Sequence, residues 1–297
     1  MVDFPRRPLC CSMAASRLWS PAAPFFWIFD LEPRSVTGRS PIGSQALWTQ
    51  DLDLRIGTAG WGVPQMVASQ FPAEGSALSR YGARLNAAEI NSTFYRVHRA
   101  STFERWFEAT PPDFAFSVKV PRQITHEARL VDCSEALKRF VGATLGLGQK
   151  LKVFLVQLPP SLGFNPQLAG AFFARFDAIC GSARVACEPR HATWFGPEAD
   201  RLLAEWRVAR VAADPARHPQ AGDPGGWRGL AYYRMHGSPR PYYSSYDALA
   251  LSRLAQDIAD QQSNGPVWCV FDNTASGEAT ANALALTAEF TRSRSTS

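Results

Sequence analysis

VFLVQLPPSLGFNPQLAGAFFARFDAICGSARVACEPRH, residues 153–191, reads as a strand, a loop, a helix and a second strand. Val153 to Leu158 is a short apolar run rich in β-branched and aromatic residues, as suits a strand covered on both faces. Asn165 before Pro166 marks a helix start, because the asparagine side chain caps free backbone N–H groups and proline suits the first helical position. Phe172, Phe173 and Phe176 follow at helical spacing and read as core packing. Arg184 to Glu188 is the next strand. A strand, a crossover helix and a parallel strand form the repeating unit of an α/β sheet.

The same alternation extends in both directions. Further runs lie at Leu54–Gly57, Ala87–Ile90, Ala115–Val120, Ala209–Ala213, Leu230–Met235 and Val267–Phe271, giving eight in all. Helix starts are expected at Ser101 with Glu104, at Asp132 with Glu135, and at Asp247. Eight strands in this pattern predict a (β/α)₈ TIM-type barrel over residues 52–290. Pro215–Gly229 is too rich in proline and glycine for a helix, so the sixth helix is expected to be degenerate. The spacing Gly57, Gly60, Gly62 is G-x-x-G-x-G, which does not fit a dinucleotide fingerprint. Residues 1–51 carry prolines without any period and read as a poorly structured, disordered N-terminal extension. Residues 291–297 read as a disordered tail. Arg6, Arg7 and Arg17 ahead of the apolar patch Phe25–Leu31 leave a targeting leader open beside a dispensable extension; Asp30, Glu32 and the lack of a clear cleavage site favour the extension.

Composition narrows the class. Of 297 residues, 46% are hydrophobic and 19% charged, which describes a globular chain and not a disordered one. The net charge of +5 is scattered, so it favours anionic ligands weakly and argues little for nucleic acid. Six cysteines without a C-x₂-C pair point to reduced thiols in a cytoplasmic protein. No segment approaches the roughly 20 apolar residues of a membrane span, so no membrane partner is expected. G-x-S-x-G, H-E-x-x-H and P-loop motifs are missing.

Barrel chemistry sits where strands end, and here every strand ends in polar residues. Strand alternation places Glu89 with Asn91, Glu188 with Arg190, and Arg234 with His236 on common faces. One such residue is often a structural ion pair; eight polar strand ends converging imply a ligand, water or an ion among them.

RIGTAGW, AAEINSTFYR, FSVKVPRQITHEARL, FLVQLPPSLGFN, VACEPRHATWF, YYRMHGS and FDNTASGEATANALAL occur in this order over residues 53–287. Together they resemble the domain of unknown function 72 family, also called YecE-like. The resemblance implies a TIM-type barrel without an established activity; its likeness to sugar isomerases is one of fold alone. The family pattern falls on Gly57, Trp61, Glu89, Asn91, Phe94, Tyr95, Lys119, Pro121, His126, Gln157, Glu188, Arg190, His191, Trp194, Arg234, His236, Gly237, Asn273 and Asn282. The segments Asp272-Asn273-Thr274 and Tyr242–Tyr246 depart from it.

These readings predict an enzyme acting on a small polar, sugar-like or anionic substrate by general acid/base chemistry. Glu89 or Glu188 is expected as base and His236 as acid or base. Lys119 could serve as a fixed cation or, if burial lowers its pKa, as a Schiff-base nucleophile, and the charged anion-holding role is preferred because Glu89 should keep it protonated. Trp61, Asn91, Tyr95, His126, Gln157, Arg190, His191, Arg234 and Asn273 are expected to bind substrate, with Trp194, Tyr242, Tyr243 and Tyr246 as pocket walls. A divalent metal on Glu89, Glu188, Asp214 and His236 is a variant, but Arg190 and Arg234 would crowd it, so no metal ligand is assigned. No cofactor can be named. A nucleic-acid-binding or nucleic-acid-processing barrel, suggested by Arg96 and Arg99 and a pI near 9.0, and a non-catalytic binding protein are the alternatives. Glu188→Gln and His236→Ala are expected to leave the fold intact.

Overall fold

The computed structural model describes residues 54–295; the expected extension over residues 1–51 lies outside them. Ten strands run in sequence: β1 (Leu54–Ala59), β2 (Ala87–Ile90), β3 (Ala115–Lys119), β4 (Leu151–Gln157), β5 (Arg184–Glu188), β6 (Val208–Arg210), β7 (Ala212–Asp214), β8 (Gly225–Gly226), β9 (Ala231–Met235) and β10 (Val267–Phe271). All pair in parallel except β8, a two-residue strand antiparallel to β6. The order β7-β9-β10-β1-β2-β3-β4-β5-β6 brings the sheet round on itself, because β6 and β7 are two halves of one chain segment parted only by Val211. The first half pairs with β5 and the second with β9. This is the expected barrel, with its sixth run divided and β8 added, so that eight runs become ten strands.

Seven α-helices cover the sheet: α1 (Ala77–Gly82), α2 (Ala100–Glu108), α3 (Ser134–Thr144), α4 (Pro166–Asp177), α5 (Pro197–Glu205), α6 (Ala248–Gln262) and α7 (Glu278–Ser295). Between β7 and β9 a single 3₁₀ turn, Pro219–Gly222, stands in place of the sixth helix. Asn165 caps α4 by accepting from Leu168 N–H, and Asp247 caps α6 by accepting from Ala250 N–H. Two expected caps are corrected. Arg99 leads α2, its carbonyl accepting from Thr102 N–H, so Ser101 lies inside the helix. Cys133 leads α3 and Asp132 sits just outside in the left-handed region at φ 45°. The tail is corrected too: α7 runs past Phe290 to Ser295. Among the described residues no helix is long and apolar enough to cross a membrane, and Cys133, Cys180, Cys187 and Cys269 are free.

Two apolar layers follow from strand alternation. Side chains on the outer face of the strands pack against the helices, and those on the inner face fill the barrel. Inside, Tyr232 and Trp268 stack with ring centroids 5.9 Å apart, and the room they take is balanced by alanines at 87, 115, 186 and 209. These rings are the floor on which the polar strand ends rest. Beside them β1 and β2 approach closely: Asn86 bridges Ile56 N–H and the Leu54 carbonyl, and a Cβ at Gly57 would lie 1.9 Å from the Ala87 carbonyl oxygen. Gly57→Ala is therefore expected to destabilise by about 3 kcal/mol, the upper range for overpacking, against about 1 kcal/mol for loss of the cap in Asn165→Ala. Urea unfolding of the two variants checks the order.

Candidate functional site

Above the Tyr232–Trp268 floor, residues at alternate positions point inward. Ser117 and Glu89 both meet the Tyr232 hydroxyl, which lies 2.9 Å from each. Arg234, two residues beyond Tyr232, fills the centre and is wholly buried. Its Nε and Nη2 donate to Glu89 Oε2 and Oε1 at 3.0 and 2.7 Å, a two-bonded fork. Nη1 donates to Glu188 Oε2 at 2.7 Å and Nη2 also to Asp272 Oδ2 at 2.9 Å. One guanidinium thus holds three carboxylates from β2, β5 and the end of β10.

His236 stands one alternation higher. Its Nδ1 lies 3.1 Å from Asp272 Oδ2 and its Nε2 3.1 Å from Glu188 Oε1. Ionised carboxylates only accept, so both ring nitrogens must donate, and the ring is placed as an imidazolium. Burial is the largest single influence and works against that charge, but the charge of Glu188 and the hydrogen bonds to Asp272 and Glu188 together outweigh it and raise the His236 pKa. Glu188 itself receives five donations, from Arg190 Nε and Nη2, Gln157 Nε2, Arg234 and His236. Burial alone would raise its pKa; Arg234, His236 and Arg190 overcome that and hold it well below the ordinary carboxylate range. Asp272 is likewise lowered, against burial, by Arg234 and His236.

The expected roles shift accordingly. Glu89 has no exposure and both oxygens taken, and Glu188 has no free lone pair, so each holds cations and neither is placed as a base. Lys119 is also corrected. Burial and then Arg234 lower its pKa to about 8, outweighing Glu89, Glu188 and Asp272, because Glu89 is already bound to Arg234. The metal variant finds no support: among the described residues no group of three or more His, Cys, Asp or Glu side chains is arranged for a metal ion. Asp214 turns aside to accept from the Tyr246 hydroxyl at 2.6 Å.

A family profile described as "Protein of unknown function DUF72" matches residues 55–296. The chain belongs to this family. The UPF0759 protein YecE of Escherichia coli K12 is 29% identical over 164 residues, covering 54% of this chain and 58% of that protein. YunF of Bacillus subtilis, another UPF0759 protein, is 26% identical over 149 residues, 48% of this chain and 52% of its own. The matched region thus spans little more than half the length of these curated relatives. A DUF72 structure from Thermotoga maritima superposes with a TM-score of 0.66 at 23% identity, over 80% of this chain and 99% of that one. One from Enterococcus faecalis gives 0.67 at 19%, over 79% and 94%. These two share the fold.

Of the residues carried over from the DUF72 pattern, Glu89, Gln157, Glu188, Arg190, Arg234 and His236 meet in the network. Asn91 reaches it through a long 3.5 Å contact to Asp272 Oδ1, and Lys119 stands at its edge over the Phe94 ring, 4.4 Å from the centroid. His126 is half-buried beside Phe94, with its pKa lowered by burial and then by Lys119. Four expected binders do not join. Trp61 packs edge-on against Trp106 and Phe116, on the helix side of β3. Tyr95 is 78% exposed, and His191 caps its own turn at Thr193. Asn273 is wholly buried and donates to Ser244 and Asn282, bracing the 237–246 loop. Among the expected walls, Trp194 is buried on the Leu162 carbonyl and Tyr246 on Asp214, whereas Tyr242 covers His236 edge-on at 5.8 Å. Gly237 turns that loop at φ 95°, where a Cβ would meet the Ser244 oxygen at 2.8 Å. Sequence reasoning missed Asp272 as a site residue, although it ends β10, and missed Arg217, which lies in the loop after β7.

This geometry revises the expectation that Glu188→Gln is harmless: it should cost about 1.5–3 kcal/mol, as for hydrogen bonds to charged groups. Arg234→Met, which strands three carboxylates, should cost about 3–5 kcal/mol. Chemical denaturation measures both. The pH dependence has a definite sign. His236 has a raised pKa in the fold, so its stabilisation is whole below pH 6.5 and is lost as pH rises through the raised value. Glu188 and Asp272 are lowered, so theirs is whole above their ordinary 4.5 and 3.8 and is lost as pH falls through the lowered values. Lys119 adds stability only above about pH 8, as its buried charge is shed. The melting temperature should therefore peak between about pH 5 and 6.5, and His236→Gln should flatten the decline on the alkaline side.

Proposed function

We propose that the barrel mouth binds a small polar anion and that His236 exchanges a proton with it. The observation that carries this reading is a cavity of about 300 Å³ over the ends of β5, β7 and β9, lined by Arg190, Arg217, His236, Glu188 and Tyr242. Its size suits a metabolite and not a polymer. Three carboxylates face Arg190, Arg234 and a His236 pushed toward its charged form, and Arg217 at the rim tips the mouth positive. Guanidinium forks match carboxylate or phosphate oxygens, and Pro189, Ala213, Pro215 and Pro241 offer apolar wall to the rest of the molecule.

His236 is the acid in this reading. Glu188 and Asp272 keep its proton in place until a substrate oxygen gains negative charge, and they hold the ring in orientation afterwards. Glu89, bound to Arg234, supports the site from below and touches no substrate. The substrate class is sugar-like or otherwise oxygen-rich and anionic.

The test is a thermal-shift screen of sugar phosphates and small carboxylates, since a ligand at about 100 times its Kd stabilises by about 2.7 kcal/mol. Arg217 is exposed, so Arg217→Ala should leave the free protein's melting temperature unchanged and weaken ligand binding about tenfold, the loss of one charge-assisted contact. His236→Gln should keep binding and lose turnover. Anion binding unaffected by Arg217→Ala, or binding by oligonucleotides with a steep salt dependence, would refute the reading.

A further inference from the structure

The sequence holds four lysines, Lys119, Lys138, Lys150 and Lys152, among 31 basic residues. Two of the four are buried, and the contrast between them is chemical. Lys150 is 4% exposed and its ammonium donates to Phe107 O, Thr110 O and Thr110 Oγ1. Lys119 is 6% exposed and, among the described residues, its ammonium donates no hydrogen bond; its neighbour is the face of Phe94. An ammonium held there without protein acceptors costs far more than a neutral amine would.

Strand alternation aims Lys119 into the barrel mouth. Ser117, two residues earlier, points inward to Tyr232, so Lys119 shares its face one layer up. The β2–β3 ladder pairs Glu89 with Ser117 and Ile90 with Val118. Asn91 then opens a turn whose Thr93 hydroxyl lies 2.9 Å from the Ile90 carbonyl and 2.6 Å from that of Lys119, which sets the turn against the end of β3. Asn91 Oδ1 is buried and has no hydrogen-bond partner, while its Nδ2 faces Asp272, which as a carboxylate only accepts and so fixes which way the amide lies. An amine without protein acceptors, at the end of β3, and an acceptor without donors, in the turn that follows β2, thus both lie at the strand ends.

We propose that Lys119 is a nucleophile that forms an imine with the carbonyl of a small α-hydroxy aldehyde or ketone, whose hydroxyl donates to Asn91 Oδ1. The neutral amine forms a C–N bond to the carbonyl carbon as the C=O π pair moves onto oxygen, which takes a proton. That oxygen then leaves as water, with the second proton on nitrogen lost, and the imine remains. No oxidant or reductant is consumed. Once protonated, the imine draws electrons from the bond next to it, so the reactions it serves are proton abstraction or carbon–carbon cleavage beside the carbonyl. The lowering of the Lys119 pKa to about 8, by burial and Arg234, supplies the free amine near neutral pH. The inference rests on the mouth being a small-molecule site, but its readout is a lysine adduct, independent of anion affinity and of turnover.

The full chain is incubated with glycolaldehyde or with acetaldehyde, which has the same carbonyl without the hydroxyl, in the presence of cyanoborohydride. Adducts at each lysine are then quantified by peptide mass analysis. With glycolaldehyde at neutral pH, Lys119 should be labelled at least about tenfold faster than exposed Lys152. The Lys119 rate should rise with pH to a midpoint near 8. Acetaldehyde should label Lys119 several-fold more slowly, and Asn91→Leu should erase that difference. Labelling of Lys119 no faster than Lys152, or a Lys119 profile without the midpoint near 8, overturns the nucleophile. Equal labelling of wild-type Lys119 by the two aldehydes overturns the role of Asn91. Failure of anion binding in the Arg217 experiment changes none of these readings.

Discussion

Arg234 is the charge on which the mouth of this barrel depends. Three carboxylates brought together from β2, β5 and the end of β10 would repel one another and could not stay ionised without water. Arg234, wholly buried, meets all three through two nitrogens of a planar fork and a third beside it. Everything above it inherits that arrangement. Glu188 is held ionised and so draws Arg190, Gln157 and His236 to itself; Asp272 is held ionised and fixes the other side of the His236 ring. Burial first, and then Arg234 acting outward, lower the pKa of Lys119 against the pull of Glu89, Glu188 and Asp272.

The layering explains why such a costly cluster can exist. Tyr232 and Trp268 fill the barrel below it, and the Tyr232 hydroxyl joins the two levels by bonding Glu89 and Ser117. The polar layer therefore has a rigid floor and few unpaired atoms. Among the described residues Asn273 Oδ1, beside the loop brace, is buried without a partner, and two further groups, Asn91 Oδ1 and the Lys119 ammonium, lie at the strand ends, where a bound molecule can answer them.

Much of this is legible in the sequence. Strand identity follows from apolar runs between proline, glycine and asparagine, and inward position follows from alternation, so Glu89, Glu188, Arg190, Arg234 and His236 can be assigned to one mouth before any coordinates. What local signals do not carry is which partner each residue takes across the barrel. Glu188 reads as a base until five donors from four residues are seen on it, and Glu89 reads as the keeper of Lys119 until Arg234 is seen to occupy it. Asn273 reads as a binder because it ends the eighth strand and falls on the family pattern, yet it turns away from the network, into the loop brace with Asn282. The division at Val211 is equally invisible, since it comes from one segment serving two neighbours at the closure of the sheet. Arg217 lies in a loop without periodicity, and only the folded loop places it on the cavity.

The account requires His236 to be a doubly protonated ring clamped between two ionised carboxylates above Arg234. Nuclear magnetic resonance of the His236 ring nitrogens and Cε1 proton, followed across neutral pH, observes this state directly. The account predicts both nitrogens protonated at pH 6.5 and a titration midpoint above that ordinary value. A midpoint below 6.5, or a single neutral tautomer at that pH, would contradict it.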